Sequence, residues 1–492
     1  MTAVCSMGLI VASCVTAGMT PALAAAGEAS GQRPNILLAI ADDWGWPHAG
    51  AYGDPVVKTP TFDRLARQGV LFRHAYVAAP SCTPSRGALL TGQWFARLEG
   101  AANLWSVFPD KFVTYPELLA RAGYEVGSTG KGWGPGRPEM PGRQLAGTRY
   151  RSFRDFLGQW DRAKPFCFWL GSSDPHRPYK AGSGVAAGMD LDRIRLFGCF
   201  PDHPVVRSDV ADYYFEVQRF DRLVGAALEA LARIGQLDNT VVVMTGDHGM
   251  PFPRSKSNLY DSGARVPLAV RWPARIEPGR TVDDFVSFTD LAPTFLDLAG
   301  LTPPSEMTGR SLLSILQSGR SGRVDADRRF VLIGKERHVP AQERPDMGGY
   351  PCRAIRTHEF LYIRNFRPHR WPAGTPHYQR ATIPGAWLAD CDNGPTKSYM
   401  VENRDKDARH RKLYELAFGK RPAEELYDLQ KDPDQLENVA ADPRYAATRQ
   451  QLADQLMAQL RALRDPRVTG AGDKFDAYPY LGGAPKYPGW GR

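Results

Sequence analysis

The chain has 492 residues, 43% hydrophobic and 23% charged, and its 62 Lys and Arg outnumber 53 Asp and Glu to give a formal charge of +9. This is ordinary globular composition, long enough for one large domain and a smaller one. Outside the first 25 residues no apolar run is long enough to cross a bilayer, no Lys/Arg-rich run or nucleic-acid motif occurs, and no Cys/His cluster has zinc spacing. Stable membrane insertion, a nucleic-acid partner and a cysteine-built zinc site are therefore not expected.

Residues 8–25, GLIVASCVTAGMTPALAA, carry an apolar run and the small-residue site Ala22-Leu23-Ala24. Residues 1–25 are expected to be a signal peptide, and the mature protein to be exported, periplasmic or secreted. Five of the seven cysteines then remain, Cys82, Cys167, Cys199, Cys352 and Cys391. An odd number in an oxidising compartment leaves at least one unpaired.

Along the chain, unbroken apolar runs alternate with helical patterns, which predicts an α/β sandwich around a mostly parallel sheet. NILLAIA runs into Asp42-Asp43, and Thr59-Pro60 opens a helix through Phe62, Leu65 and Ala66. SCTPSRGALLTGQ, residues 81–93, starts another helix, with Pro84 suited to its first turn. Thr114 and Glu117 have capping-box spacing, and Gly123 suits the end of that helix. YEVGSTG leads to Lys131, FCFWLGSSD to His176, VVVMTG to Asp247-His248, and FVLIG to Lys335, Arg337 and His338. A long helix is expected over about 208–234 and a shorter one over 293–298, with a last helix near 443–463.

Ligands of open parallel sheets bind beyond the carboxyl ends of the strands, so these five strand ends are expected to converge on one site. Asp42, Asp43 and Asp247 repel one another unless a cation neutralises them, and three carboxylates suit a hard divalent ion such as Ca²⁺ or Mg²⁺. Arg86 and Lys131 add the fixed positive charge that transfer of an anionic group requires, and His176 can protonate a leaving group.

Cys82-Thr83-Pro84-Ser85-Arg86 followed by Leu89-Leu90-Thr91-Gly92 resembles the signature of the type I sulfatases, in the alkaline-phosphatase-like superfamily. RPNILLAIADDWG, TGDHG, GARVPLAVRWP, FTDLAPTFLDLAGL and ELYDLQKDPDQLENVA resemble other family segments in family order. The resemblance implies an alkaline-phosphatase-like sandwich over residues 32–350, and a C-terminal subdomain over 351–492 with a short antiparallel sheet and a helix. It implies that Cys82 is converted by a maturation enzyme to formylglycine (3-oxoalanine). One hydroxyl of the aldehyde's hydrate attacks sulfur, and the second drives release of sulfate. It also implies Asp42, Asp43, Asp247, His248 and the modified Cys82 as metal ligands, Lys131 and Lys256 on the sulfate, Arg86 on the hydrate or a sulfate oxygen, and His176 as general acid. Ca²⁺ is the expected ion, ahead of Mn²⁺ and Mg²⁺.

Two positions depart from the family pattern. Trp133 stands where a histidine commonly contacts the hydrate, so no general base is assigned. His248 replaces a common asparagine, and Asp-His also occurs in phosphonate and phosphodiester hydrolases of the superfamily. GDHGMPFPRSKSNLYDSGARVPL and DPHRPY resemble heparan N-sulfatases (sulfamidases), which implies a sulfated carbohydrate substrate such as N-sulfoglucosamine. Arg337, His338 and the Asp392–Lys397 loop are candidates for substrate contact. The alternatives are a phosphonate or phosphate-ester hydrolase on the same scaffold, and a non-catalytic polyanion-binding protein.

Overall fold

The central strands begin at Asn35–Ala41 (β1), where all seven residues are buried, as expected for a strand covered on both faces. In the computed structural model, which describes residues 1–3 and 33–491, the further strands of this sheet are Val70–Tyr76 (β2), Glu125–Thr129 (β3), Thr148–Arg149 (β4), Phe166–Gly171 (β5), Thr240–Gly246 (β6), Leu268–Arg271 (β7) and Arg280–Ser287 (β8). Their order is β8-β2-β7-β6-β1-β5-β3-β4, parallel throughout except that β7 runs antiparallel to β2 and β6. Residues 4–25 of the expected signal peptide, with Cys5 and Cys14, lie outside the described residues.

Helices cover both faces. Pro60–Arg67 (α1) follows Thr59-Pro60, and Cys82–Thr91 (α2) ends at Gly92, whose left-handed φ of 64° terminates it. Tyr115–Arg121 (α3) carries the capping box of Thr114 and Glu117. Pro204–Arg233 (α4) is a 30-residue helix that starts four residues before the sequence pattern indicated, because Pro204 supplies its first turn and His203 its cap. Leu291–Leu298 (α5) packs behind α2. One layer of core lies on the Ile36, Leu38 and Ile40 side of β1, the other on the Leu37 and Ala39 side with α1 and α4.

Phe330–Lys335 (β9) does not join the parallel sheet. It opens a four-stranded antiparallel sheet with Cys352–Thr357 (β10), Phe360–Asn365 (β11) and Glu424–Asp428 (β12). An apolar run of that length fits either sheet, and only its partners decide. Ala446–Ala462 (α6) covers this sheet, burying Leu452, Leu456 and Leu460 against Ile355, Tyr362 and Leu426. Backbone bonds from Gly334 N to Ala78 O (2.9 Å) and from Leu104 N to Arg337 O (3.0 Å) nevertheless bring the end of β9 to the parallel sheet's carboxyl edge. The five described cysteines are buried and unpaired. No helix among the described residues is long and apolar enough to cross a membrane.

Candidate active site

Helix α2 places its first turn at the carboxyl edge of β1 and β6, and all ten of its residues are buried. Ser81 precedes it, but its hydroxyl does not cap the helix. It bonds instead to His338 Nδ1 at 2.8 Å. The helix N-terminus therefore presents Cys82 to the site with the positive end of the helix dipole behind it. Cys82 Sγ lies 3.6 Å from Asp42 Oδ1 and 3.3 Å from His248 Nε2. Burial pushes its thiol well above the ordinary range, with Asp42 and Asp247 adding to the effect. An unmodified Cys82 is thus a protonated thiol at neutral pH, a poor nucleophile.

The carboxylates come from two strand ends. Asp43 adopts a left-handed φ of 74°, uncommon for a residue with a side chain, and its N–H donates to Asp247 Oδ1 at 2.8 Å. That turn lets Asp42 and Asp43 both face the cluster. Burial opposes the charge on Asp42, but Lys131 and Arg86 overcome it and hold the group well below the usual carboxylate range.

His248 decides what belongs between these groups. Its Nδ1 is 3.0 Å from the carbonyl of Gly249, which can only accept, so Nδ1 carries the proton. In the neutral ring Nε2 then presents a lone pair, 3.1 Å from Asp43 Oδ1. That carboxylate oxygen is buried with no hydrogen-bond donor. Two acceptors facing each other in a dry site fit a cation between them. Asp43, Cys82 and His248, and likewise Asp42, Cys82 and Asp247, bring ligand atoms within 4.8 Å of one another.

Cations frame the cluster. Arg86 is fully buried, donating from Nε to Asp247 Oδ2 at 2.8 Å and from Nη1 to the carbonyls of Lys131 and Gly132 at 2.9 Å each. Lys131 follows Gly130, whose φ of 67° and 2.0 Å clearance to Gly171 O admit no side chain. Its Nζ donates to both oxygens of Asp42 at 2.6 Å. Lys256 lies in a buried loop between two left-handed residues, Arg254 and Ser257, and donates to Asp43 Oδ2 and Asp392 Oδ2 at 2.8 Å each. Burial opposes the charge on Lys256, yet Asp392 and Asp43 raise its pKa well above the ordinary lysine value. His176 Nδ1 donates to Arg177 O at 2.6 Å, and its Nε2 lies 3.9 Å from Asp43 Oδ2.

These groups open into a cavity of about 500 Å³ lined by Asp42, Cys82, Lys131, His176, Lys256 and His338 among others. Burial holds His338 neutral, its pKa pushed down to about 3. Arg337 points elsewhere, donating to the carbonyls of Asp476, Tyr478 and Pro479, and braces the C-terminal segment. Of the Asp392–Lys397 loop, Asp392 lines the cavity while Lys397 is turned inward onto backbone carbonyls. Trp133 lies beneath α2, its indole donating to Thr83 O at 3.1 Å and its ring against Gly87 and Phe108. The sequence reading passed over Trp105, Tyr480 and Pro485, which complete the cavity wall. Leu481 N bonds to Trp105 O at 2.8 Å and Trp387 N to Pro485 O at 3.0 Å, so the end of the chain folds back over the site. No motif marks those residues; only chain closure brings them there.

The parallel-rich sheet, with acidic strand ends around a buried helix N-terminus and paired cations, has the alkaline-phosphatase-like fold. The model of the family described as Sulfatase matches residues 34–301. Human N-sulphoglucosamine sulphohydrolase is 31% identical over 487 residues, covering 88% of this chain and 91% of that protein. An ulvan-active sulfatase of Formosa agariphila is 25% identical, covering 88% and 76%. The chain belongs to the type I sulfatase family and is a sulfuric ester hydrolase or a sulfamidase. Among solved structures, a protein in complex with its substrate D-glucosamine-2-N,6-O-disulfate matches with a TM-score of 0.63 at 21% identity, covering 88% of this chain and 99% of that one. The phosphonate monoester hydrolase of Agrobacterium radiobacter matches with a TM-score of 0.64 at 20% identity, covering 89% and 97%. At these identities the likeness is one of fold.

Proposed function

We propose that the protein removes sulfate from a sulfated glycan, with the sulfamate of N-sulfoglucosamine as the leading substrate. The observation that carries this reading is Cys82 at a buried helix N-terminus, facing acidic and imidazole ligands and flanked by two lysines that open onto one cavity. The likeness to human N-sulphoglucosamine sulphohydrolase supports the glycan and the sulfamate. In this reading the chain is exported through residues 1–25 to the periplasm or outside, and a maturation enzyme converts Cys82.

Asp42, Asp43, Asp247 and His248, with the side chain at position 82, would hold a divalent ion. The oxygen-rich set favours Ca²⁺, with Mn²⁺ or Mg²⁺ behind it. When bound, that ion supplies positive charge against the nucleophile's oxygen and the sulfate. Formylglycine at position 82 supplies a hydrated aldehyde, whose second hydroxyl lets the ester to the protein collapse. The chain's own side chains do the rest. Arg86, locked by Asp247 and two carbonyls, fixes α2 against the metal cluster. Lys131 and Lys256 bind the outer sulfate oxygens from two sides. His176, with Nδ1 committed to Arg177 O, delivers a proton from Nε2 to the leaving atom. His338 lines the wall on the substrate side.

The test is mass analysis of the Cys82 peptide after co-expression with a formylglycine-generating enzyme, followed by kcat/KM on N-sulfoglucosamine, N-acetylglucosamine 6-sulfate and a phosphonate monoester. An aldehyde at Cys82 and a preference for sulfated sugars are expected. A free thiol in a fully active enzyme overturns the nucleophile. A strong preference for the phosphonate overturns the reaction class in favour of the second reading, a phosphonate hydrolase, which His248 beside Asp247 favours.

A further inference from the structure

The cavity is built for an anion, yet two carboxylates outside the metal cluster line it: Asp174, which pairs with Arg219, and Asp392. Asp392 faces it with its side chain 20% exposed. Its Oδ2 accepts from Lys256 Nζ at 2.8 Å, and its carboxylate, His176 and Asp43 have ligand atoms within 4.8 Å of one another. Asp392 therefore stands beside His176, which handles the leaving atom, and shares Lys256 with Asp43.

Its position is enforced by the loop. The buried Lys397 ammonium donates to the carbonyls of Trp387, Leu388 and Cys391 at 2.8, 3.1 and 2.9 Å, and to Asn393 Oδ1 at 2.9 Å. Asn393 Nδ2 in turn donates to Lys486 O at 2.8 Å. A loop closed around an ammonium and tied to the C-terminal segment presents its carboxylate at a fixed place.

The bridging atom of the substrate is what such a carboxylate can read. A sulfamate, R–NH–SO₃⁻, carries a hydrogen on its bridging nitrogen, whereas a sulfate ester, R–O–SO₃⁻, has only lone pairs there. Hydrolysis of the sulfamate is R–NH–SO₃⁻ + H₂O → R–NH₃⁺ + SO₄²⁻. The S–N bond breaks, water's oxygen ends on sulfur, and both of its protons end on nitrogen. The leaving nitrogen begins as a hydrogen-bond donor and finishes as a cation. An ester oxygen finishes as a neutral hydroxyl. A carboxylate beside this atom favours the first course and repels the lone pairs of the second.

We infer that Asp392 is a specificity-determining residue that accepts the sulfamate N–H and pairs with the ammonium product, biasing the enzyme toward N-sulfate over O-sulfate. The inference rests on the sulfatase reading above.

The experiment measures kcat/KM of the wild-type holoenzyme and of Asp392→Leu on N-sulfoglucosamine and on N-acetylglucosamine 6-sulfate. The variant is expected to shift the sulfamate-to-ester ratio down by about 30-fold, the scale of one charge-assisted hydrogen bond. Equal losses on both substrates overturn the inference and reduce Asp392 to a positioning residue for Lys256. Wild-type protein with an aldehyde at position 82 that cleaves neither substrate overturns the sulfatase reading itself. Should Asp392→Leu fail to fold, the wild-type enzyme decides through product inhibition. D-glucosamine is expected to inhibit about tenfold more tightly than neutral N-acetylglucosamine, and equal inhibition overturns the inference.

Discussion

Around Arg353 every charge is answered from within the protein, whereas around Cys82 the paired charges border a cavity and one carboxylate oxygen is left without a donor. Arg353 is fully buried and donates to Asp465 from Nε at 2.6 Å and from Nη2 at 3.0 Å, and to Glu336 Oε1 at 2.6 Å. Arg467 closes the other side of Glu336 at 2.7 Å, and the Trp94 indole donates to Asp465 at 2.7 Å. The Cys82 cluster also pairs carboxylates with cations, but Asp43 Oδ1 has no donor, and Lys131 and Lys256, paired with Asp42 and with Asp43 and Asp392, line the cavity. A saturated ionic network fixes one arrangement of the chain. An unsaturated one holds groups ready for a ligand, at a cost in stability that the surrounding fold must bear.

The comparison breaks most sharply at the nucleophile. Cys82→Ala is expected to lower kcat/KM by at least about 10⁴-fold while the protein stays folded; a smaller loss, read by single-turnover assays, would give the chemistry to another group. At the closed network, Asp465→Asn leaves the buried Arg353 short of charge. Urea unfolding should record a loss of about 3–5 kcal/mol, with kcat of the folded fraction unchanged. Loss of kcat without loss of stability would erase the distinction between the two clusters.

Intermediate effects sharpen it. His176→Asn should cost about 10²–10³-fold on sugar substrates and far less on 4-nitrophenyl sulfate, whose leaving group needs no proton. A uniform loss would make His176 a sulfate binder. Removing divalent ions by chelation should lower Tm. Restoring Ca²⁺ to about 100 times its Kd should return about 2.7 kcal/mol of stability, an increment absent in Asp43→Ala. No thermal response in the wild type would argue against a resident ion.

A further effect concerns pH. Burial lowers His338 to about 3 and His48 to about 4. Both stay neutral in the folded protein while the unfolded chain takes up protons below about 6.5. The unfolded state therefore binds more protons between pH 6.5 and 4, and stability falls as pH falls through that window, by up to about 1.4 kcal/mol per pH unit for each group. His338→Gln should flatten this slope by one proton in urea titrations. An unchanged slope would show that His338 titrates alike in both states.

Strand-end chemistry was legible because a strand fixes where its last residue points. Asp42, Asp43, Lys131, Asp247 and His176 sit within a few residues of β1, β3, β6 and β5, and the site gathers them. From its apolar run, FVLIG reads as a strand of the parallel sheet; in β9 Phe330 and Leu332 are only half-buried while Val331 and Ile333 are buried, an alternation that a short run of apolar residues does not announce. Arg337 is a candidate for substrate contact in sequence because, like His338, it follows the strand FVLIG. One residue's shift in the chain turns it toward the carbonyls of residues 476–479 instead.

What the sequence by itself determined is local. The capping box at Thr114, the glycine after α2, the apolar strands and the Cys82–Arg86 signature each act within one or two turns of chain, where propensity and spacing suffice. The tertiary structure alone decided which carboxylate faces which cation. Lys256 and Asp392 are 136 residues apart, and Asp43 and Lys256 are 213 apart. Pairings at that range depend on how two sheets and a returning C-terminal segment close against each other, and no periodicity in the chain encodes such closure.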